Sequence, residues 1–365
     1  MRAINYSPAG IALLVSLFIT TRVHADPLLD QGLEKMAIEI KSFLDDERLP
    51  KQMIVGDFSG APRLKASGGV EISRAIAQQL EKVGIVVSDD ADLQLMGSFK
   101  LKEAKAQPHD DFESLALEIE ATILDGEDEE LAEVPISVFG SVALQIAGQT
   151  VEVPPKLPER QRQEKLVSQT KNPPTNIDQS RTRPSQDSPF GVEVLVRNGN
   201  RLDSRSPRLD SRGRSNVDLH LGEEYVVRLY NDASFEAAVT LTIDGVDMFI
   251  DAEDAPKDSR LIVYPGRHVD IPGWYITQTN SKAFEIGGYE ESVAKRQGSS
   301  KSVGTISATF RACWDPNGPR PADEPGGNAK GGKATKQGRD ISKNYVQLIR
   351  DFGEVRAVVS VRYDR

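Results

Sequence analysis

Short apolar runs separated by turn residues dominate residues 190–365, and this pattern most constrains the fold. Apolar and polar residues alternate in each run, as they do in half-buried strands. Asp244-Gly245 and Pro265-Gly266 supply turn signals between the runs. Eight or nine such strands at regular spacing predict a β-sandwich, jelly-roll-like, over 190–365. Residues 315–343 are rich in Gly, Pro and Lys, and we expect a mobile loop there.

Residues 26–153 show a different periodicity. Apolar residues recur at helical spacing near Leu29–Asp46 and Val70–Val83, and alternate in the segments between and after these stretches. The order α-β-α-β-β-β predicts a mixed sheet with helices on one face. The fold class is therefore expected to be α+β, with an N-terminal mixed-sheet α/β domain and the C-terminal sandwich as a second domain.

Residues 154–189 separate these two regions. The stretch is rich in Pro, Gln, Ser, Thr and Arg and contains no aromatic residue. Such a composition buries too little apolar surface to offset the entropy of ordering, so we expect a disordered linker. A short helix over Glu159–Ser168 is an alternative for part of it, because Pro158 suits a helix start.

The N-terminus has the features of an export signal. Arg2 precedes a short apolar run from Gly10 to Ile19, which is too short to span a bilayer. Val23 and Ala25 are small residues at the −3 and −1 positions of a signal-peptidase site. Residues 1–25 are therefore predicted to be a signal peptide cleaved after Ala25. The mature protein would then lie in the periplasm or cell envelope with no transmembrane span; an uncleaved anchor or a buried helix is the alternative.

The composition of the chain excludes several kinds of functional site. Forty-five basic and 55 acidic residues give a net charge of −10, which argues against nucleic-acid binding. The single cysteine, Cys313, excludes an intrachain disulfide and a thiolate metal cluster. The histidines have neither H-x-H nor H-E-x-x-H spacing. We therefore expect no catalytic residues, no metal and no cofactor.

Three patterns could nevertheless carry chemistry. Gly56–Gly60, together with Gly68-Gly69 before a helix, could bind an anion, but neither phosphate-binding glycine motif is present. The acidic turns 125–130 and 251–258 lack the spacing of a calcium loop. No serine lies in a G-x-S-x-G motif. Structural turns and solvated loops are the simpler interpretation of all three.

Aromatic residues are the remaining candidates for binding. Trp274 and Tyr275 follow Pro272-Gly273, so an alternating strand must turn one of the two outward. Exposed aromatic side chains suit carbohydrate stacking and protein recognition alike. We take Trp274 and Tyr275 as the candidate binding residues, and expect the larger Trp274 ring to be buried and Tyr275 to be exposed.

The first domain resembles a bacterial envelope family. Its residues Ile54-Val55-Gly56-Asp57-Phe58, a helix containing Ile72–Ile76, and Ala91–Ser98 resemble domains of the curli-secretion CsgG type and of the LpoB-type activators of peptidoglycan synthases. The match covers about 100 of 365 residues. It lacks the lipidation cysteine and the amphipathic insertions of a secretion pore. The resemblance implies a non-catalytic assembly or regulatory module.

The second domain is similar to uncharacterised bacterial accessory β-sandwich domains through its L-G-E-E-Y, T-I-D-G, Y-P-G and I-P-G-W segments. Together these observations predict a non-enzymatic exported envelope protein. It would be a binding or assembly module that recognises a protein or cell-wall partner. The alternative is a hydrolase acting on envelope polymers.

Overall fold

The computed structural model describes residues 27–61, 68–105, 113–255, 259–288, 291–296, 304–324, 330–337 and 345–363. The described chain is mostly β with several sheets and a smaller share of helix, which confirms the α+β class. The predicted signal peptide at 1–25 lies outside the described residues.

The N-terminal part forms a five-stranded mixed sheet with two helices. Its elements are α1 (Pro27–Asp46), β1 (Gln52–Gly60), α2 (Gly69–Lys82), β2 (Val86–Val87), β3 (Gln94–Ala104), β4 (Ser114–Leu124) and β5 (Glu130–Phe139). The strand order is β2-β1-β3-β4-β5. β1 runs parallel to β2 and β3, whereas β4 and β5 are antiparallel to their neighbours. The predicted mixed sheet is thus correct.

Both helices pack on one face of this sheet. Leu33, Met36 and Ile40 recur at helical spacing on α1 and are fully buried, and Ile72 and Ile76 do the same on α2. The alternating residues of β3 and β4 complete the same core. Apolar periodicity therefore determines which face the helices cover.

The segment 154–189 is folded, so the expectation of a disordered linker is wrong. It contains α4 (Glu159–Lys171), β7 (Asn176–Asp178) and β8 (Arg181–Arg183), preceded by α3 (Ser141–Ile146) and β6 (Val151–Glu152). The alternative of a short helix is the correct one for its first half. The helix buries few apolar side chains, and hydrogen bonds from glutamine amides hold it in place instead. Gln169 accepts from the backbone N–H of Glu152 at 2.8 Å and donates to its carbonyl at 2.9 Å.

The remaining strands form two larger sheets. They are β9 (Phe190–Asn198), β10 (Arg201–Ser204), β11 (Arg208–Leu209), β12 (Ser215–Val217), β13 (Glu224–Asn231), β14 (Glu236–Ile243), β15 (Val246–Asp247), β16 (Leu261–Val263), β17 (Arg267–Ile271), β18 (Gly273–Thr277), β19 (Asn280–Glu285), β20 (Thr305–Trp314), β21 (Lys330–Gln337) and β22 (Tyr345–Tyr363), with a short helix α5 (Val293–Arg296). One sheet runs β18-β19-β13-β9-β8-β7, with β10 and β17 as side strands. The other runs β11-β12-β22-β20-β14-β16-β21, with β15 and β6 as side strands.

The two large sheets enclose one apolar core. Alternate residues of β9 and β13, such as Val194 and Val227, meet alternate residues of β14, β20 and β22, such as Val239, Phe310 and Val359. Period-2 alternation thus places one face of each sheet inside.

The expected mobile loop at 315–343 is partly regular structure. Residues 330–337 form β21, which pairs with β22 over eight residues, from Lys330 opposite Phe352 to Gln337 opposite Tyr345. The expectation is therefore wrong for this strand, because backbone pairing with β22 orders a sequence that contains few apolar residues. Residues 325–329 and 338–344 lie outside the described range.

β22 joins the sandwich to the N-terminal part. It pairs with β6, with Ala357 opposite Glu152 and Val358 opposite Val151. The Thr150 hydroxyl donates to the carbonyl of Ser360 at 3.1 Å and accepts from its N–H at 3.0 Å. β6, which precedes residues 154–189 in the chain, is therefore part of the sandwich. Within the described residues, no helix is both long and apolar enough to cross a bilayer.

Candidate functional site

Trp274 and Tyr275, the two predicted binding residues, occupy positions opposite to expectation. Tyr275 is 0% exposed. Its ring lies 5.1 Å from that of Phe249, and its hydroxyl donates to Asp254 Oδ1 at 2.5 Å. Trp274 is the partly buried member. The expectation based on ring size is wrong because the phenol ring can fill the core while its hydroxyl reaches a carboxylate at the edge.

Trp274 contributes to a contact between the two parts of the molecule. Its ring packs edge-on against Phe284 at 5.3 Å. It also packs against a small apolar cluster built on Val70 of α2 and Val246 of β15. Its exposed area is therefore limited by the helix, and neither aromatic residue presents an open stacking surface.

A polar cavity of about 550 Å³ lies elsewhere, where the β9–β10 hairpin meets the start of β13. Its wall is formed by Val196, Arg197, Asn198, Gly199, Asp203, Arg205, Gly222, Glu223 and Glu224. The volume lies in the range that small ligands or short peptide segments occupy.

Charges of both signs line this cavity. The guanidinium of Arg205 pairs with Glu223, and Arg197 Nε lies 3.4 Å from Glu224 Oε2. The side chains of Arg197 and Glu224 are 37% and 46% exposed. Ion pairs that face water contribute little to stability. Each of these charged groups can therefore leave its present partner and pair with a charged group of a ligand at a small cost in free energy.

Two tight turns shape the cavity. Gly199 has φ 61° and Gly222 has φ 81°, which glycine adopts without strain. The N–H of Gly222 donates to the carbonyl of Ile286 at 2.7 Å, and Glu223 Oε2 accepts from the N–H of His220 at 2.9 Å. Leu221, between these anchors, is 77% exposed. The lining thus combines fixed backbone and charge, and an exposed apolar residue adjoins it in sequence.

A buried carboxylate holds the wall of the cavity in place. Glu193 on β9 is 4% exposed. It accepts from the hydroxyls of Ser180, Ser204 and Tyr230 at 2.5, 2.6 and 2.5 Å. Ser204 lies between Asp203 and Arg205 in the chain, so its hydrogen bond to Glu193 fixes the backbone that carries these two cavity residues.

The electrostatics of Glu193 indicate a structural role. Burial opposes its ionisation, but the three hydroxyls and the charge of Arg228 together lower the pKa of Glu193. Arg228 is itself held by Asp270, with contacts of 2.5 and 2.8 Å. A carboxylate that is ionised and fully hydrogen-bonded is a poor proton acceptor.

The other sequence candidates have local structural roles. A Cβ on Gly69 would lie 1.7 Å from the Phe58 carbonyl oxygen, so glycine is required here by the close approach of α2 to β1. Asp125 Oδ1 accepts from the N–H groups of Glu127 and Glu129 and so caps its own turn. Burial raises the pKa of the Cys313 thiol. Among the described residues, no group of three or more His, Cys, Asp or Glu could hold a metal ion.

The stretch 198–216 is rich in Arg, Asp and Ser and lacks the apolar alternation of a strand, so the sequence pattern alone does not indicate the cavity. Asn198-Gly199 is a turn signal that follows an apolar strand, and it could have predicted the β9–β10 hairpin. The approach of residues 222–224 to this hairpin is a tertiary contact that no local pattern encodes. No protein family, curated protein or solved structure matches this chain.

Proposed function

We propose that this chain is a non-enzymatic exported envelope protein that recognises a partner protein through the polar cavity. The observation that carries the proposal is the lining itself. About 550 Å³ of space is bordered by two Arg–Glu pairs, and the exposed Leu221 directly precedes the lining residue Gly222.

A peptide segment with charges of both signs is the ligand that this lining favours. The partner's acidic side chain would replace a glutamate beside Arg197 or Arg205, and its basic side chain would meet Asp203 or Glu224. Leu221 would add an apolar contact at the edge. The backbone anchors at Gly222 and Glu223 keep the cavity open before binding, which lowers the entropy cost of association.

The wider context of the proposal rests on the sequence. The predicted signal peptide supports a location in the periplasm or cell envelope, and the resemblance to CsgG- and LpoB-type domains supports an assembly or regulatory role. Division into two independent domains and a jelly-roll strand order for the sandwich remain predictions. N-terminal sequencing of the exported protein tests the cleavage after Ala25; a mature chain that retains Leu13–Phe18 would contradict it.

The binding proposal is tested with immobilised protein and solubilised envelope proteins. We expect wild-type protein to retain a specific partner, and Arg197→Ala and Asp203→Ala proteins to retain at least tenfold less of it, since a central binding residue is worth more than about 1.4 kcal/mol. Arg201→Ala is the matched control because Arg201 is exposed on the same hairpin but outside the cavity.

Three results would contradict the proposal. Equal retention by all four proteins would exclude the cavity as the binding surface. Retention of purified peptidoglycan instead of protein would identify a cell-wall ligand. Turnover of an envelope polymer, abolished by one polar substitution, would favour the hydrolase.

A further inference from the structure

The charged residues that line the polar cavity do not cancel one another, since two guanidinium groups face three carboxylates. Arg197 pairs with Glu224. Arg205 pairs with Glu223. The remaining charged residue of the lining is Asp203, which forms no ion pair with any residue that the structure describes. The lining therefore carries one net negative charge, and that charge belongs to Asp203.

The carboxylate of Asp203 is held on fixed backbone and is open to a ligand. Asp203 lies opposite Val196 in the β9–β10 ladder, and the hydroxyl of the next residue, Ser204, is bonded to the buried Glu193. Its Oδ2 accepts from Asn198 Nδ2 at 3.3 Å, and no hydrogen bond to its Oδ1 is found in the described part of the chain. The residue is exposed. A positioned carboxylate with a free oxygen loses little entropy on binding a cation.

A further carboxylate increases the negative potential beside the cavity. Glu285 on β19 lies directly opposite Glu224 on β13, so the two side chains share one face of the sheet. Glu285 is exposed and has no ion pair within the described ranges. Like charges at directly opposite positions of two strands repel each other and destabilise the pairing. A cation bound at this wall would reduce that repulsion.

The groups present at the cavity indicate which kind of cation it takes. Among the residues described by the structure, no group of His, Cys, Asp or Glu could hold a metal ion. The space of about 550 Å³ is instead large enough for a whole side chain. An ammonium or guanidinium group donates charge-assisted hydrogen bonds to carboxylate oxygens, and its alkyl chain can pack against an apolar wall residue such as Val196. The cation that fits is therefore a basic amino-acid side chain.

We propose that the polar cavity selects its partner protein by a lysine or arginine side chain, and that Asp203 is the specificity-determining residue. This inference rests on the proposed function and names the feature of the partner that the cavity reads. An acidic side chain of the partner contributes less to selection, because it must first displace a glutamate from Arg197 or Arg205. Asp203 has no ion pair to break.

Peptide selection tests the inference without prior identification of the partner. A random heptapeptide library is selected on the immobilised mature protein, and the enriched peptides are sequenced. We expect wild-type protein to enrich peptides with Lys or Arg at one fixed position, and Asp203→Lys protein to enrich Asp or Glu there instead, which a merely structural residue could not cause. Asp218→Lys is the matched control: Asp218 is exposed and lies outside the lining, so its substitution should leave the basic preference unchanged.

A double-mutant cycle on the best peptide measures the contact directly. Norleucine in place of the basic residue keeps an alkyl chain and removes the charge, and should weaken binding to wild-type protein about tenfold. Asp203→Asn should weaken binding of the basic peptide by a similar factor, and the two changes together should cost little more than either alone. Because Asp203 is exposed and asparagine has nearly the same size, this variant should melt like wild type.

The failure of this inference differs from the failure of the proposed function. Enriched peptides without a common basic residue, an unchanged preference in Asp203→Lys protein, or fully additive losses in the cycle would overturn the role of Asp203 and leave peptide recognition standing. No enrichment on wild-type protein over a blank surface would overturn the proposed function, and this inference with it.

Discussion

Substitution of Tyr275 tests whether this residue stabilises the core or binds a partner. The structure predicts that its truncation lowers the stability of the protein. The side chain is fully buried, and its ring contacts Phe249. Truncating a buried aromatic side chain to alanine costs about 3–5 kcal/mol. We therefore expect Tyr275→Ala to lower the melting temperature by roughly 6–20 °C.

Tyr275→Phe isolates the hydroxyl. It keeps the ring and deletes the hydrogen bond to Asp254, whose carboxylate still accepts from the N–H of Gln278. Because Asp254 is exposed, water can replace the lost donor, and we expect a cost of about 1 kcal/mol. Calorimetry and denaturant unfolding on the same samples measure both variants. A Tyr275→Ala protein that melts like wild type would refute the placement of this ring in the core.

Three further predictions concern stability and reactivity. The pKa of Glu193 is lowered on folding, so its ionised carboxylate should stabilise the folded protein fully at pH values above the ordinary glutamate pKa of about 4.3. This stabilisation should decline as the pH falls below about 4.3, and Glu193→Gln should flatten that part of the pH–stability curve. Gly97→Ala should lower the free energy of unfolding by about 1–3 kcal/mol, since its Cβ would lie 2.3 Å from the Phe58 ring and 2.5 Å from the Glu120 carbonyl oxygen. Gly126→Ala, whose Cβ would have its nearest contact at 3.6 Å, should leave the free energy of unfolding in urea nearly unchanged. The Cys313 thiol should react with a thiol reagent at mildly alkaline pH only after denaturation, because burial raises its pKa; rapid reaction of the native protein would show that the thiol is accessible.

The elements that sequence predicts correctly are those with strong local periodicity. The faces of α1 and α2 and the alternation in β3 and β4 follow directly from the spacing of apolar residues. The same rule predicts opposite faces for Trp274 and Tyr275, but it does not say which face is the core. Burial of Tyr275 depends on Phe249 and Asp254, which are distant from it in sequence.

Composition predicts 154–189 wrongly because a count of apolar residues ignores the hydrogen bonds that side-chain amides form. Gln163 and Gln169 hold a polar helix by hydrogen bonds to backbone groups 48 and 17 residues away. The cavity was missed for a related reason, since residues 222–224 reach the β9–β10 hairpin only in the folded chain. Local pattern finds elements well, but it cannot find contacts between them.

The pairing of β6 with β22 has a consequence for any break in the chain at 154–189. β6 is encoded before this segment, yet Glu152 lies opposite Ala357 and Thr150 is bonded twice to Ser360. A single proteolytic nick within 154–189 would leave both fragments bound through this strand pairing and through the apolar cluster that Leu115 and Val151 form with Val355 and Val358. Such a nicked protein should elute as one species from a sizing column and separate only in denaturant. The two halves, expressed as separate chains, are accordingly candidates for fragment complementation.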